Sequence, residues 1–244
     1  MRRDLLLGLV CAVLLVFVSM YAKAQALHGG FGGLYGGPTF LVNPSLQKKL
    51  GSENILGSSF KANVMSIGFG GEGYTLRPRG FVLGGSGYTC FFNSSTPQGS
   101  VDQRISTGFF IIGYSVVNTK HLFAFPYWGV GAFGADFKIT NTTDKVFLVG
   151  KDPIINGKQG KYSSGGMAFD LGFALKYIAS STQLKSGKQL RSLLGINTGI
   201  SFFPAFVKWQ NVDTKSTLDE FNRPFIMAAY IRIALGFGVF SIKE

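Results

Sequence analysis

Residues 167–178 alternate between large apolar side chains and small or polar ones, and this alternation restricts the possible folds more than any other feature. The first set is Met167, Phe169, Leu171, Phe173, Leu175 and Tyr177, and the second is Ala168, Asp170, Gly172, Ala174 and Lys176. Successive side chains of a β-strand point to opposite faces, whereas a helix would scatter both sets around its axis. The segment therefore predicts a strand with one apolar face and one small or polar face.

The same alternation recurs along the chain. It is clear over residues 194–202 and 225–239, and shorter over residues 65–72 and 133–139. In each, the pattern places the large apolar residues on the outside of a barrel and the small or charged residues inside. Three further strands are expected over the following stretches, whose faces the broken alternation does not assign: 28–42, 80–92 and 104–117. The total is eight strands.

The connections between these strands alternate in length. Short connections lie around 77–79, 118–120 and 180–188, and longer polar ones span 43–61, 93–103, 140–164 and 206–223. This order predicts an all-β fold, an antiparallel up-and-down transmembrane β-barrel with short periplasmic turns and longer extracellular loops. Asn156-Gly157 is a hairpin-turn pair in the third long loop, which either extends the barrel wall or is mobile.

The first 26 residues have the organisation of a cleavable secretion signal. Arg2 and Arg3 precede an apolar run from Leu5 to Met20, and small residues around Ala24 and Ala26 offer cleavage sites. The run is shorter than the roughly 18 apolar residues that a membrane anchor needs. We therefore expect cleavage near 24 or 26, with residues 27–244 forming the barrel domain.

On these features the chain resembles the small eight-stranded outer-membrane β-barrels of the OmpA and OmpX type. The features that match are the signal, the four hairpins, the inward glycines and charges, and an aromatic last strand that ends Gly236-Phe237-Gly238-Val239-Phe240. The resemblance implies export to the outer membrane of a Gram-negative bacterium and contact with the barrel-insertion machinery. Residues 241–244 displace the aromatic terminus that this machinery commonly reads, and no motif identifies a subfamily.

Charged residues on the predicted inner faces form the first candidate site. They are Glu72, Asp136, Lys138, Asp170, Lys176, Arg191 and Arg232. An eight-stranded barrel is just wide enough for side chains to fill, and an unpaired buried charge is costly. We expect a plug of ion pairs with Arg232 at its centre; the alternative is a gated ion path.

Aromatic and basic residues predict contacts with lipid. Tyr127, Trp128 and Trp209 are expected at the membrane–water interface, where Tyr and Trp are enriched. The formal net charge is +12, and basic residues occur at both rims. Anionic lipid headgroups are the expected partners. Nucleic acid is a poor alternative, because the charge is divided between opposite ends without a recognition module.

Signals for catalysis are weak. Gly129, Gly131 and Gly134 have the spacing of a dinucleotide-binding loop, but residues 135–139 continue a strand pattern where that loop needs a helix. His28 and His121 lack a nearby nucleophile-and-acid constellation, and Cys90 is the only cysteine outside the signal. We therefore expect no catalytic residue, no metal and no cofactor.

The leading hypothesis is a non-enzymatic integral outer-membrane protein with a plugged lumen and loops for envelope structure, lipid contact or surface binding. A narrow channel or transport accessory would need a continuous hydrated lumen. A membrane-embedded lipid-modifying enzyme would need a polar cluster that faces lipid or the rim. A soluble ligand carrier would invert the faces, with bulky apolar residues inside. The sequence does not identify a ligand, a protein partner or an oligomeric state.

Overall fold

The computed structural model describes residues 27–52, 56–62, 64–149, 152–184, 187–218 and 225–242, and the predicted signal peptide, residues 1–26, lies outside this part of the chain. Eight long strands dominate it. They are β1 (Leu27–Val42), β2 (Val64–Leu76), β3 (Phe81–Thr96), β4 (Gly99–Tyr114), β5 (Leu122–Asn141), β6 (Gln159–Gln183), β7 (Gln189–Pro204) and β8 (Phe225–Ile242). No helix in the described ranges is long and apolar enough to cross a membrane.

The eight strands form one closed ring. Each strand pairs antiparallel with its neighbours in the chain, and β8 pairs back with β1. Every strand therefore has two partner strands, and the sheet closes on itself. The predicted all-β, antiparallel up-and-down barrel is confirmed, and each predicted strand corresponds to one observed strand.

Three short connections lie at one end of the barrel, here named the turn end. They are residues 77–80, 115–121 and 184–188. Leu27 and Ile242, the first and last residues of β1 and β8, pair with each other at this end. The backbone N–H of Leu27 also donates to Asn118 Oδ1, at 3.2 Å.

The opposite end, here named the loop end, carries the longer connections. A short helix, Pro44–Leu46, and a π-helical turn, Gln47–Ser52, follow β1. A small hairpin of Phe147–Val149 and Asp152–Ile154 follows β5 and forms a sheet of its own instead of extending the wall. After β7, the short strand Gln210–Asn211 pairs with β6.

The predicted long loop at 93–103 is wrong. β3 continues to Thr96 and β4 begins at Gly99, so that only Pro97 and Gln98 join them. The polar residues in this stretch belong to strands whose outer face is polar. Asn93 and Asp102, for example, are exposed cross-strand neighbours, and Asn93 Nδ2 donates to Asp102 Oδ1 at 2.5 Å.

The predicted inner and outer faces of β2, β6, β7 and β8 agree with the structure. Their large apolar residues point outward and, with residues of β1, β4 and β5, form an exposed apolar belt. The belt consists of Leu34, Phe40, Ile67, Phe69, Phe110, Trp128, Leu171, Leu175, Leu194, Ile196, Ile200, Ile231, Ile233, Leu235 and Phe237. An exposed apolar surface this large and continuous marks a surface that contacts lipid or a partner.

The predicted faces of β5 are reversed over residues 133–139. Phe133, Phe137 and Ile139 are buried inside the barrel, whereas Asp136 is exposed and Lys138 half-exposed on the outer face. Asp136 and Lys138 therefore do not belong to the lumen. The alternation in the sequence defines two faces correctly, but the surroundings of the strand decide which face turns inward.

The faces of β5 are reversed because residues 133–139 belong to a part of the barrel wall that extends beyond the apolar belt at the loop end. This raised wall comprises residues 91–96 of β3, 99–104 of β4, 133–141 of β5 and 159–166 of β6. Its inner side packs like the core of a soluble protein, because the connections after β1 and β7 fill the space inside it. Buried residues of these connections are Leu46, Leu50, Leu56, Phe60, Ala62, Trp209 and Leu218.

Trp209 is therefore not an interfacial residue as predicted. Its side chain is 0% exposed, and its ring meets the Phe137 ring edge-on, with 4.6 Å between centroids. Phe137 also stacks on Tyr162 at 4.9 Å. Trp128, by contrast, is 46% exposed on the outer face, opposite Ile112 and Leu171 on the neighbouring strands.

This difference gives a direct test with the two tryptophans of the chain. Trp209→Ala should lower the free energy of unfolding by about 3–5 kcal/mol, because it leaves a cavity under the raised wall. The measurement is urea unfolding of the refolded barrel in detergent micelles, followed by heat-dependent gel mobility.

Trp128→Ala is the matched control and should change stability by less than half as much, since its side chain leaves no internal cavity. Equal losses for the two variants would contradict the assignment of Trp209 to a packed core.

Candidate functional site

A layer of polar side chains crosses the middle of the lumen. Period-two alternation turns them inward from β1, β2, β3, β5, β6, β7 and β8. The layer consists of Tyr35, Glu72, Tyr88, Tyr127, Asp170, Lys176, Asn197, Ser201, Tyr230 and Arg232, all of them buried. We name it the central layer.

An ion pair between β2 and β6 anchors one side of the central layer. Lys176 Nζ donates to Glu72 Oε1, and both side chains are almost completely buried. Asn197 Nδ2 donates to the other carboxylate oxygen, Glu72 Oε2, at 2.6 Å. The carboxylate thus has a partner on each oxygen, which offsets part of the cost of burying it.

Arg232 lies among tyrosine rings. Its guanidinium carbon is 3.7 Å from the ring centroids of both Tyr88 and Tyr230 and 5.1 Å from that of Tyr35. Ring faces attract cations, and this attraction strengthens when the cation is removed from water. Arg232 Nε and Nη2 have no hydrogen-bond partner among the described residues, and the guanidinium lies against the rings instead.

Asp170 organises a chain of hydroxyl groups on the other side of the layer. Its carboxylate accepts from Ser201 Oγ at 2.8 Å and from the Tyr230 hydroxyl at 2.9 and 3.0 Å. Tyr88 in turn donates to Ser201 Oγ at 3.0 Å, and the hydroxyls of Tyr127 and Tyr230 are 2.7 Å apart. These bonds link β3, β5, β6, β7 and β8 across the lumen.

Inward glycines make room for the large polar side chains. A Cβ on Gly172 would lie 2.4 Å from the Tyr127 ring, and one on Gly199 would lie 2.5 Å from the Tyr230 hydroxyl. A Cβ on Gly195 would similarly lie 2.4 Å from Lys176 Cδ. The abundance of glycine on the inner faces of β6 and β7 is thus a consequence of filling a narrow barrel.

The structure brings four of the seven predicted lumen charges into the central layer: Glu72, Asp170, Lys176 and Arg232. Arg191 also points inward but lies near the turn end, where Nη1 donates to the backbone carbonyl of Lys120 at 2.5 Å and Nε donates to Gln189 Oε1 at 3.0 Å.

Sequence reasoning missed the tyrosines of the layer outside β8. Tyr127, predicted at the membrane interface, is only 8% exposed and points into the lumen. Tyr35 and Tyr88 lie on β1 and β3, whose broken alternation assigned no face. The available signal for Tyr127 was its neighbour Trp128, because adjacent residues of a strand cannot both face lipid.

Apolar layers lie on both sides of the central layer. At the turn end Phe31 and Phe123 meet at 5.0 Å between ring centroids, and Phe123 stacks on Phe125 at 5.8 Å. Towards the loop end Phe133 contacts Phe203 at 5.2 Å. The polar groups therefore have aromatic side chains above and below them.

The other candidate residues form no second site. Gly129, Gly131 and Gly134 lie within β5, without the helix that a dinucleotide loop requires. His121 is exposed in a turn, and Cys90 is a buried free thiol. Within the described ranges, no group of three His, Cys, Asp or Glu residues is placed to hold a metal ion.

Several solved structures of outer-membrane proteins are similar to this chain at low sequence identity. The attachment invasion locus protein Ail of Yersinia pestis has a TM-score of 0.44 and 9% identity, covering 89% of this chain and 99% of that one. A major outer membrane protein of Thermus thermophilus has a TM-score of 0.42 and 13% identity, covering 87% and 99%. OprG of Pseudomonas aeruginosa has a TM-score of 0.36 and 12% identity, covering 91% and 99%.

No protein-family model and no curated protein matches the sequence. The similarities to solved structures are too distant to carry the role of any residue to this chain. The closed ring of eight antiparallel strands, its apolar belt and its polar central layer define the class: a small β-barrel of the outer-membrane type.

The Glu72–Lys176 pair can be tested by removing one charge or both. Glu72→Gln and Lys176→Met should each lower the free energy of unfolding by about 3–5 kcal/mol, because each leaves one charge buried without its partner. The double variant should recover much of this loss, since no uncompensated charge remains. Urea unfolding in micelles measures all three; strictly additive losses would contradict a coupled pair.

Proposed function

We propose that the protein is a closed, non-enzymatic barrel of the outer membrane of a Gram-negative bacterium, with its loop end on the outside of the cell. The observation that carries the proposal is the filled lumen. A polar layer whose groups bond to one another lies between aromatic layers, and such an arrangement is what a lumen closed to water and ions requires.

The apolar belt supports insertion in a membrane. Transmembrane strands need about 9–11 residues to cross the hydrocarbon, and β6 and β8 present apolar side chains outward over at least that length. A soluble ligand carrier would instead have a polar outer surface over its whole height. The described strands have such a polar outer surface at their ends, in the raised wall and around Ser180 and Ser192, but not across the belt.

The non-enzymatic reading is supported by the position of the polar groups. A lipid-modifying enzyme needs its reacting groups on the lipid-facing side or at an open rim. Asp170, Glu72 and Lys176 are instead enclosed in the lumen and engaged with one another or with neighbouring side chains. Function on this reading belongs to the outer surface and the loop end.

The first experiment tests insertion and closure together. The mature chain should refold into lipid vesicles with heat-dependent gel mobility and give no steady conductance in planar bilayers. Reproducible conductance of the wild-type protein would replace the closed barrel with a narrow channel. Failure to enter vesicles, with a soluble folded product, would overturn the membrane location.

Arg232→Ala tests what keeps the lumen closed. Loss of the guanidinium leaves the Tyr88 and Tyr230 rings around a void and the negative charge of Asp170 less balanced, so we expect lower stability and transient current steps. Arg104→Ala is the matched control, because this arginine is exposed on the outer face of β4. Unchanged stability and conductance in Arg232→Ala would contradict a structural role for the central layer.

A further inference from the structure

The outer face of the raised wall carries a concentration of charged side chains. A groove of about 470 Å³ crosses β3, β4, β5 and β6 there. The charged residues that line it are Asp102, Arg104, Asp136, Lys138 and Lys161. We name this the wall groove; its three positive and two negative charges face outward, away from the central layer.

Strand register places two of the positive charges side by side. Lys138 of β5 is directly opposite Lys161 of β6, and both side chains are on the outer face. Like charges in directly opposed positions destabilise a sheet unless an anion lies between them. Within the described ranges, neither ammonium group forms an ion pair with a carboxylate.

The remaining charges complete a mixed polar surface. Asp102 is opposite Lys138, and Asp136 is opposite Arg104. The Arg104 guanidinium lies over the Phe91 ring, 5.6 Å from its centroid, so the ring holds the planar cation against the wall. Asp102 already accepts a hydrogen bond from Asn93. An anion bound between Lys138 and Lys161 would therefore have the Asp102 and Asp136 carboxylates nearby. These carboxylates can accept hydrogen bonds from hydroxyl groups of the same ligand.

The wall groove lies next to the apolar belt along the same strands. One step closer to the turn end, the outward positions opposite one another are Ser106, Gly134 and Gly165. A Cβ on Gly134 would meet nothing within 4 Å, so this strip is low and open. Phe91, which lines the groove, has its ring centroid 5.8 Å from that of Phe69 in the belt. A ligand can thus contact the charges and the belt at once.

We propose that the wall groove binds the phosphorylated sugar headgroup of a membrane glycolipid, with its acyl chains on the apolar belt. The phosphate takes the position between Lys138 and Lys161, Arg104 supplies a further positive charge, and Asp102 and Asp136 accept from sugar hydroxyls. This inference rests on the proposed membrane location.

Charge and shape favour a lipid over other anions. A nucleic acid carries a regular row of phosphates and needs a continuous row of positive charges, whereas Asp102 and Asp136 interrupt the positive charges of the groove. Free phosphate would satisfy the lysine pair but gain nothing from the adjoining belt. A phosphorylated glycolipid matches all three surfaces: the basic pair, the carboxylates and the apolar belt.

The test uses the full mature chain refolded into maltoside micelles, which carry no charge. Native mass spectrometry measures retention of diphosphoryl lipid A, with phosphatidylglycerol and inorganic phosphate as separate probes. We expect the wild-type barrel to retain lipid A, and Lys138→Gln/Lys161→Gln to weaken this binding by about tenfold to thirtyfold.

The matched control is Lys145→Gln/Lys158→Gln, which removes the same charge from exposed positions in the connection after β5. It should bind lipid A as the wild type does. Equal binding by both double variants, or a wild-type preference for phosphatidylglycerol or inorganic phosphate over lipid A, would overturn the site.

Heat-dependent gel mobility of every sample separates this result from the proposed function. If the Lys138→Gln/Lys161→Gln variant folds, enters vesicles and still binds lipid A like the wild type, the lipid site in the wall groove is wrong but the proposed function stands. A chain that folds but does not enter vesicles refutes the membrane location, and with it the lipid site.

Discussion

Closure of the sheet is the constraint on which the rest of this molecule depends. Once β8 pairs with β1, every strand has a neighbour on both sides, and its side chains divide between a narrow interior and the outside. An interior enclosed by eight strands has room only for side chains. Glycines such as Gly172 and Gly199 therefore face the large Tyr127 and Tyr230 side chains that cross it.

The central layer shows how charges are accommodated under this constraint. Glu72 and Lys176 neutralise each other directly, whereas Arg232 is held mainly by aromatic rings and Asp170 mainly by hydroxyl groups. These groups bond across the lumen and so tie distant strands together. These links stabilise the barrel, and under the proposed function they leave recognition to the outer surface and the loops.

The polarity of the outer surface changes along single strands. On β5, Trp128 belongs to the apolar belt, while Asp136 and Lys138 lie on the same outer face nearer the loop end. Over the same distance the inner face changes from the polar Tyr127 to the apolar Phe137. This exchange is the physical reason why we propose a membrane boundary between the belt and the raised wall, next to the wall groove.

The sequence by itself determined the eight strands, six of the seven connections between them, and the faces of β2, β6, β7 and β8. These features follow from the alternation of residue types and from turn composition, and both patterns are visible within a short stretch of sequence. It also indicated four charges of the central layer, because Glu72, Asp170, Lys176 and Arg232 lie on strands that cross the belt with an unbroken pattern.

Only the tertiary structure decided which face of β5 turns inward, where Trp209 and Tyr127 lie, and that β3 and β4 continue through a predicted loop. Alternation of residue types shows that a strand has two different faces, but it does not determine which of the two faces the barrel interior. Lipid selects the apolar face to point outward, whereas water above the belt selects the polar one. The inner side of the raised wall is apolar because distant connections pack against it, and no local pattern in β5 records their presence.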